Sequence, residues 1–315
     1  MVESSPKAYF FSLVIPTHNR NHDLILLLNK LLSQSFLNSV QVIVISNLLD
    51  EAAQKFIVEL GRPNIIFDHV GSVGVNKARN KGIERSQGEW IYFLDDDCLP
   101  KSDLFFEMAA KQFKNEPSYN VWGGLYSPTE TMGPVSKYYI FKANSWILQN
   151  SYDEGQLTDM LLGGNMVIRA SLFKNGLRFN EEIIFGSSET EMINRLRLLA
   201  VPFRLSTDLN LVHNINIGMI ELLRKAYLQG FGSKLAQISL HKKYRMQILV
   251  PEKYLKIDSL FNKSFYLGYL DTKAVYSMKH LKLRILSKLS VQLLKDFRHK
   301  SLDLLKEIYR IFLKR

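Results

Sequence analysis

The 315-residue chain predicts an α/β protein: a mostly parallel central sheet flanked by helices, then a helical C-terminal extension. Three observations carry this. Short β-branched and aromatic runs alternate with segments of helical period through the first third of the chain. Polar clusters follow those runs, at the carboxyl ends where parallel sheets gather their ligands. The basic excess is concentrated at the end: Ala274 to Arg315 carries eleven Lys/Arg against three Asp/Glu, a net of +8 out of the chain's +11.

Phe10 to Ile15 reads as the first strand, stopped by Pro16-Thr17-His18-Asn19-Arg20. The leucine-dense stretch His22 to Gln34 predicts a helix, Val40 to Ile45 a second strand, and Asp50 to Leu60 a second helix. Asn64 to Phe67 is a short third strand, and Val75 to Arg85 a third helix rich in Lys and Arg. Trp90 to Leu94 is the fourth strand and Lys101 to Lys114 the fourth helix. This alternation implies right-handed βαβ units. Val121 to Leu125 looks like another strand. Tyr126 to Met160 reads as a polar and aromatic excursion over the cleft. Strand character returns over Leu161 to Ile168, helix over Glu189 to Leu199, strand over Leu209 to His213, and helix over Ile217 to Leu240. Beyond Ala274, apolar positions from Leu289 to Phe312 recur mostly every three or four residues, an amphipathic pattern with a basic polar face.

Bulk properties narrow the class. An apolar content of 46% supports a sizeable core, and the length allows one large domain with an appendage. The single cysteine, Cys98, rules out an internal disulfide and suits a reducing cytosol. Met1 to Lys7 lacks the pattern of a secretory signal, and no uninterrupted apolar run reaches 18 residues.

The strongest local signal is Asp95-Asp96-Asp97, placed directly after the apolar run Trp90 to Leu94. Three carboxylates at one sheet edge repel one another unless a cation or donor groups offset them. Hard divalent cations that carry phosphates are held by one or two carboxylates, so a metal-phosphate site is one reading and a solvated acidic turn the other. Thr17 to Arg20 and Ser46-Asn47 fall at neighbouring strand ends, so three segments converge on one cleft.

Five blocks resemble family 2 glycosyltransferases, which have the nucleotide-diphospho-sugar transferase (GT-A) fold. They are Val14 to Arg20; Ala78 to Gly82 with Gly88-Glu89-Trp90; Leu94 to Pro100; Gly163 to Arg169; and Ser188 to Glu191 with Arg195. The resemblance covers roughly residues 9 to 240, divided into a nucleotide-binding half (9–125) and an acceptor half (126–240). Residues 241–315 form the basic extension. It implies an inverting transfer of a sugar from a nucleotide-diphospho-sugar to a saccharide or lipid-linked acceptor, in surface polysaccharide or glycolipid synthesis.

The resemblance assigns roles to particular residues. Glu189 stands where the family has its catalytic aspartate, one methylene longer, and is the expected general base. Asp97 is the expected direct ligand of Mn²⁺ or Mg²⁺, with Asp95 on the metal or the ribose. His213, which resembles the family's late histidine, is placed at the metal or diphosphate. Pro16, Thr17, Asn19, Arg20, Asn47, Arg79, Asp95 and Asp96 are expected around the nucleotide, with Arg79 suited to phosphate oxygens. Gly163, Gly164, Asn165, Ser188 and Glu191 are expected near the donor sugar and acceptor. The second strand ends in Ser46-Asn47 instead of the family's paired aspartates. An amide oxygen still accepts a bond from the base, so UDP remains the expected donor nucleotide.

Each residue also has a plainer use. Asn19 suits a helix cap, Arg79 and Lys81 a solvated helix face, and Glu189 and Glu191 a helix first turn. Gly163-Gly164 suits a tight turn, and His213 ordinary packing. Cys98 reads as inert packing. Trp122, Tyr138, Tyr139 and Trp146 serve either acceptor stacking or packing. The tail leaves three uses open: an anionic membrane surface, docking on the catalytic domain, or a homodimer contact. No nucleic-acid motif accompanies its charge. A cytoplasmic enzyme on the inner face of the plasma membrane is the expected setting. Two other classes compete. One is a non-catalytic nucleotide-sugar or glycan-binding module of the same fold. The other is a sugar nucleotidyltransferase, whose Gly-rich loop after the first strand is missing from Pro16 to Arg20.

Overall fold

The computed structural model describes residues 9–244 and 259–271. Its centre is a nine-stranded sheet in the order β3-β2-β1-β4-β10-β6-β11-β9-β8. The strands β1 (Phe11–Thr17), β2 (Val40–Ser46), β3 (Ile65–His69) and β4 (Trp90–Leu94) are mutually parallel. Every residue of β1, β2 and β4 is buried, as expected of parallel strands covered on both faces.

Two helices show how the faces are covered. On the Val14 side, α3 (Val75–Arg85) comes so close that a Cβ on Gly82 would overlap the Val14 side chain. On the Phe11 side, α4 (Phe105–Asn115) adds an aromatic layer. Phe106 and Phe113 lie 5.8 and 5.7 Å from the Phe11 ring, and Phe113 lies 4.7 Å from Trp90. The first two crossover helices are α1 (Asn21–Leu32) and α2 (Glu51–Glu59). Asp50 caps α2 by accepting from the Ala53 backbone N–H.

Parallel order ends after β4. The strand β10 (Asn165–Arg169) runs antiparallel between β4 and β6 (Val121–Gly123). The far edge is completed by β11 (Phe203–Leu205), β9 (Leu157–Thr158) and β8 (Ser151–Tyr152). A second small sheet joins β5 (Cys98–Leu99), β12 (Leu211–His213) and β7 (Tyr126–Ser127).

The expected excursion over Tyr126 to Met160 is not irregular. It holds a 15-residue helix, α5 (Pro134–Leu148), with Pro134 at its first turn, and the β8–β9 hairpin. The helix escaped periodicity because its residues divide between the core, the cavity and solvent. Leu161 to Gly164, expected as strand, form the turn into β10. Trp122 belongs to the core and not to an acceptor surface: it is fully buried and stacks on Phe113 at 4.6 Å.

After α6 (Thr190–Leu198) and β12, the long α7 (Met219–Tyr244) returns across the carboxyl edge of the sheet. Residues 259–271 fall in the expected extension and contain α8 (Leu260–Leu270), which packs along α7. The crossing is close: a Cβ on Gly230 would strike the Phe265 carbonyl, and one on Gly268 the Tyr227 carbonyl. The expected basic amphipathic tail, from Ala274 onward, lies outside the described residues. Among the described residues, no helix is long and apolar enough to cross a membrane.

Candidate active site

Strand register builds the site. Thr17 is paired with Ser46 across the ends of β1 and β2, and the acidic triplet follows β4 immediately beside them. Because β10 runs antiparallel to β4, its leading turn returns to the same edge, and the Asp95 backbone N–H donates to the Gly164 carbonyl at 3.3 Å. In the small sheet His213 is the cross-strand partner of Cys98, which sets it against Asp97. A cavity of about 520 Å³ opens over this edge. Its lining includes Pro16, Thr17, Arg20, Asn47, Arg79, Asp95, Asp96, Asp97, Gly163, Gly164, Ser188, Glu189 and His213.

The three aspartates have different surroundings. Asp96 accepts from the Thr17 hydroxyl at 2.7 Å and from Arg20 Nη1 at 2.7 Å. The same Arg20 nitrogen donates to Asp97 Oδ2 at 2.7 Å, so one guanidinium bridges two buried carboxylates. On its other oxygen Asp97 meets His213 Nε2 at 3.2 Å. Burial and then the neighbouring Asp97 charge push the Asp96 carboxyl above the usual range. Burial alone would raise Asp97 as well, but His213, Arg20 and Lys225 overcome it and hold that carboxyl low. Asp95 is more open, with Arg79 Nη2 at 3.6 Å.

Asp97, Cys98 and His213 offer donor atoms that all lie within 4.8 Å of one another. A buried carboxylate and imidazole at this range fit a divalent cation. Asp95, expected on the metal or the ribose, lies outside that cluster. Cys98 is closer, 3.8 Å from Asp97 Oδ1, but burial, reinforced by the Asp97 charge, raises its thiol well above the ordinary value and keeps it protonated.

Arg79 connects the acidic triplet to Glu189. Its Nη1 donates to the Ser188 hydroxyl at 3.0 Å, and that hydroxyl donates to Glu189 Oε2 at 3.2 Å. Burial raises the Glu189 carboxyl above its ordinary range, with Arg79 opposing the shift. The paired glycines are required by close approach. A Cβ on Gly163 would lie 2.7 Å from Glu189 Oε2 and 2.9 Å from Arg79 Nη2, and one on Gly164 would overlap the Asp95 carboxyl. Asn47 presents a buried Oδ1 that has no partner, as a group reserved for a ligand N–H would.

The chain matches the family model described as Glycosyl transferase family 2 over residues 12–177, more than half its length. It is a family 2 glycosyltransferase. It is 33% identical over 122 residues to a PGL/p-HBAD biosynthesis glycosyltransferase of Mycobacterium tuberculosis, covering 38% of this chain and 47% of the relative. An uncharacterized glycosyltransferase of Haemophilus influenzae is 31% identical over 122 residues, covering 38% of each chain. The chain thus spans about half the length, or less, of the curated relatives it matches. Among solved structures, the mannosyltransferase PcManGT of Pyrobaculum calidifontis, in complex with GDP-Man and Mn²⁺, superposes with a TM-score of 0.58. That match is 14% identical over 98% of this chain and 81% of the other. Residues 1–349 of TarS of S. aureus, in complex with UDP-GlcNAc, give a TM-score of 0.52 at 18% identity, covering 82% and 79%. These likenesses show the GT-A fold.

Three expected site residues of this glycosyltransferase lie outside the cavity lining. Asn19 is exposed with a positive φ of 52°, a turn conformation Asn tolerates, and makes no cap to α1. Asn165 is fully buried. Its Oδ1 accepts from the Tyr92 hydroxyl at 2.7 Å, and its Nδ2 donates to the Leu209 carbonyl at 2.9 Å. Glu191 is buried against Arg195 at 2.8 Å. Conversely, sequence reasoning missed Asn76, whose amide donates to the Asn180 and Ser188 carbonyls at 2.8 Å each and so fixes the loop before Glu189. It also missed Lys142, Arg224 and Lys225, which line the cavity from α5 and α7. Arg224 and Lys225 had only a place on the expected helix Ile217 to Leu240, outside every quoted block, and Lys142 lay in a stretch not read as helix.

Proposed function

We propose that this glycosyltransferase transfers a sugar, with inversion, from a nucleotide-diphospho-sugar to a hydroxyl of a saccharide or lipid-linked acceptor, with Glu189 as general base. One observation carries the reading: Arg79 bridges the Asp95 side of the cavity and the Ser188–Glu189 side. Phosphate-binding and proton-accepting groups therefore face one volume large enough for a nucleotide-sugar.

Asn47 Oδ1 and Thr17 are available to the nucleoside, and Asn47 suits the N–H of a uracil. Asp97 and His213 would hold a divalent cation, and their mixed oxygen and nitrogen donors favour Mn²⁺ over Mg²⁺. When bound, that ion supplies positive charge to the diphosphate. Glu189 accepts the acceptor hydroxyl proton while the oxygen bonds to the anomeric carbon. The bond from that carbon to the diphosphate oxygen breaks with its electron pair, and the nucleoside diphosphate leaves. Arg79 orients the donor and, through Ser188, keeps Glu189 aimed at the acceptor.

Calorimetric titration with UDP in the presence and absence of Mn²⁺ tests the reading. Metal-dependent binding is expected, and its absence for UDP and GDP alike would remove the enzyme from this class. PcManGT carries GDP-Man and TarS carries UDP-GlcNAc, so both bases belong in the titration.

A further inference from the structure

The helix α7 turns one stripe toward the cavity: Glu221, Arg224, Lys225, Leu228 and Gln229, at the i, i+3, i+4, i+7, i+8 spacing of a single face. The cations around the cavity are not equivalent. Arg20 is bound to Asp96 and Asp97, Arg79 faces Asp95, Arg224 Nη1 is paired with Glu221 at 2.9 Å, and Lys142 Nζ donates to Asn262 Oδ1 at 2.9 Å. Lys225 differs: among the described residues, no carboxylate lies within ion-pair distance of its ammonium. Its Nζ instead sits 5.3 Å from the centroid of the Tyr139 ring. The Tyr139 ring is 6.1 Å from the His213 imidazole, and His213 Nε2 touches Asp97. A half-buried ammonium therefore stands one aromatic ring away from the carboxylate–imidazole pair.

The placement of that wall is fixed. The loop leading to Glu189 is locked to α7, because Ser187 Oγ donates to the Gln229 carbonyl at 3.1 Å and Ser233 Oγ donates to Ser187 Oγ at 2.9 Å. Gly186 has φ +67°, and a Cβ on it would overlap the Leu228 carbonyl; a Cβ on Gly232 would overlap the Gly186 carbonyl. Lys225 and Glu189 thus belong to one clamped unit. Lys225 also lies beyond residue 177, where the family match ends.

We infer that Lys225 binds the diphosphate of the nucleotide-sugar donor, its ammonium adding to the positive charge around the leaving group near His213 and Asp97. A lysine ammonium held against an aromatic face is a mobile point charge that reaches phosphate oxygens without a fixed fork geometry. The same chemistry would serve a phosphate on the acceptor. Its position one aromatic ring from His213, where the diphosphate lies under the nucleotide-sugar reading above, selects the donor.

The test compares wild type with K225M and K225R by calorimetry at saturating Mn²⁺, using UDP, GDP, UMP, GMP and dodecyl phosphate. K225M is expected to weaken the diphosphate the wild type binds by about tenfold or more, to leave the corresponding monophosphate within about threefold, and to be largely rescued by K225R. Thermal melting checks that both variants fold. Unchanged diphosphate affinity in K225M, or an equal loss for the monophosphate, overturns the inference. A loss confined to dodecyl phosphate overturns it too, by moving the lysine to the acceptor. The inference rests on the nucleotide-sugar reading, yet the two fail separately. A wild type that binds neither UDP nor GDP sinks the reading, whereas wild-type binding that K225M leaves intact sinks only the role of the lysine.

Discussion

Glu189 and Asp97 are carboxylates in one cavity, and their surroundings give them opposite tendencies. Asp97 faces an imidazole and a guanidinium and is held ionised, whereas Glu189 is raised by burial. A group held ionised suits a cation, and a raised carboxylate suits proton transfer nearer neutral pH. Glu189→Gln should lower transfer by about 10²–10⁴-fold while UDP affinity stays near wild type; near-normal turnover would exclude Glu189 as the base. The base acts unprotonated, so kcat/KM should fall as pH drops through its raised value, placing the acid limb above that of an ordinary glutamate. Removing the opposing cation in Arg79→Met should carry the limb to still higher pH, and a limb that moves down would refute the coupling. Gly164→Ala drives a methyl into the Asp95 carboxyl. It should cost about 1–3 kcal/mol in urea unfolding and weaken donor binding as well.

At the scale of elements, one wall of the cavity, the proposed acceptor side, is assembled from helices distant in sequence. Trp146 of α5 and Phe261 and Phe265 of α8 line it together, and the Trp146 and Phe265 rings lie 6.1 Å apart. The α8 wall depends on the glycine crossing with α7. Gly268→Val should therefore push α8 outward, lower the melting temperature by several degrees, and raise the acceptor KM more than the UDP dissociation constant. An equal loss of UDP affinity would count against α8 as an acceptor wall. Neither α5 nor α8 was legible in the sequence. Helical periodicity reports a helix with one buried stripe, whereas these helices turn residues to the core, to each other and to an open cavity. The short strands β5, β7, β8, β9 and β11 were invisible for a related reason: two or three residues carry too little period to read.

For the whole molecule, the basic excess after Ala274 is set apart from a catalytic body of lower charge density. Peripheral attachment to an anionic bilayer is the use expected of it, consistent with a lipid-linked acceptor. Truncation after Tyr276 should shift the protein from pellet to supernatant when sedimented with anionic liposomes, and raised salt should mimic the truncation. Unchanged sedimentation would retire membrane attachment. The body itself folds as a unit in which residues 9–125 and 126–240 share the sheet through β10. The two halves therefore position one cavity and are not separate modules.

The parallel core and the acidic triplet at its edge were legible in the sequence, because each is written in a contiguous run. Buried parallel strands are uninterrupted apolar stretches, and the residues directly after them must lie at the carboxyl edge. The tertiary structure decided which polar residues meet. Asp97 gained His213 through the β5–β12 register, Asn165 and Glu191 were consumed by structural bonds, and Lys225 reached the cavity only because α7 crosses back over the sheet. Such pairings depend on strand register and helix crossing, which are set by packing between segments a hundred residues apart and which no local pattern encodes.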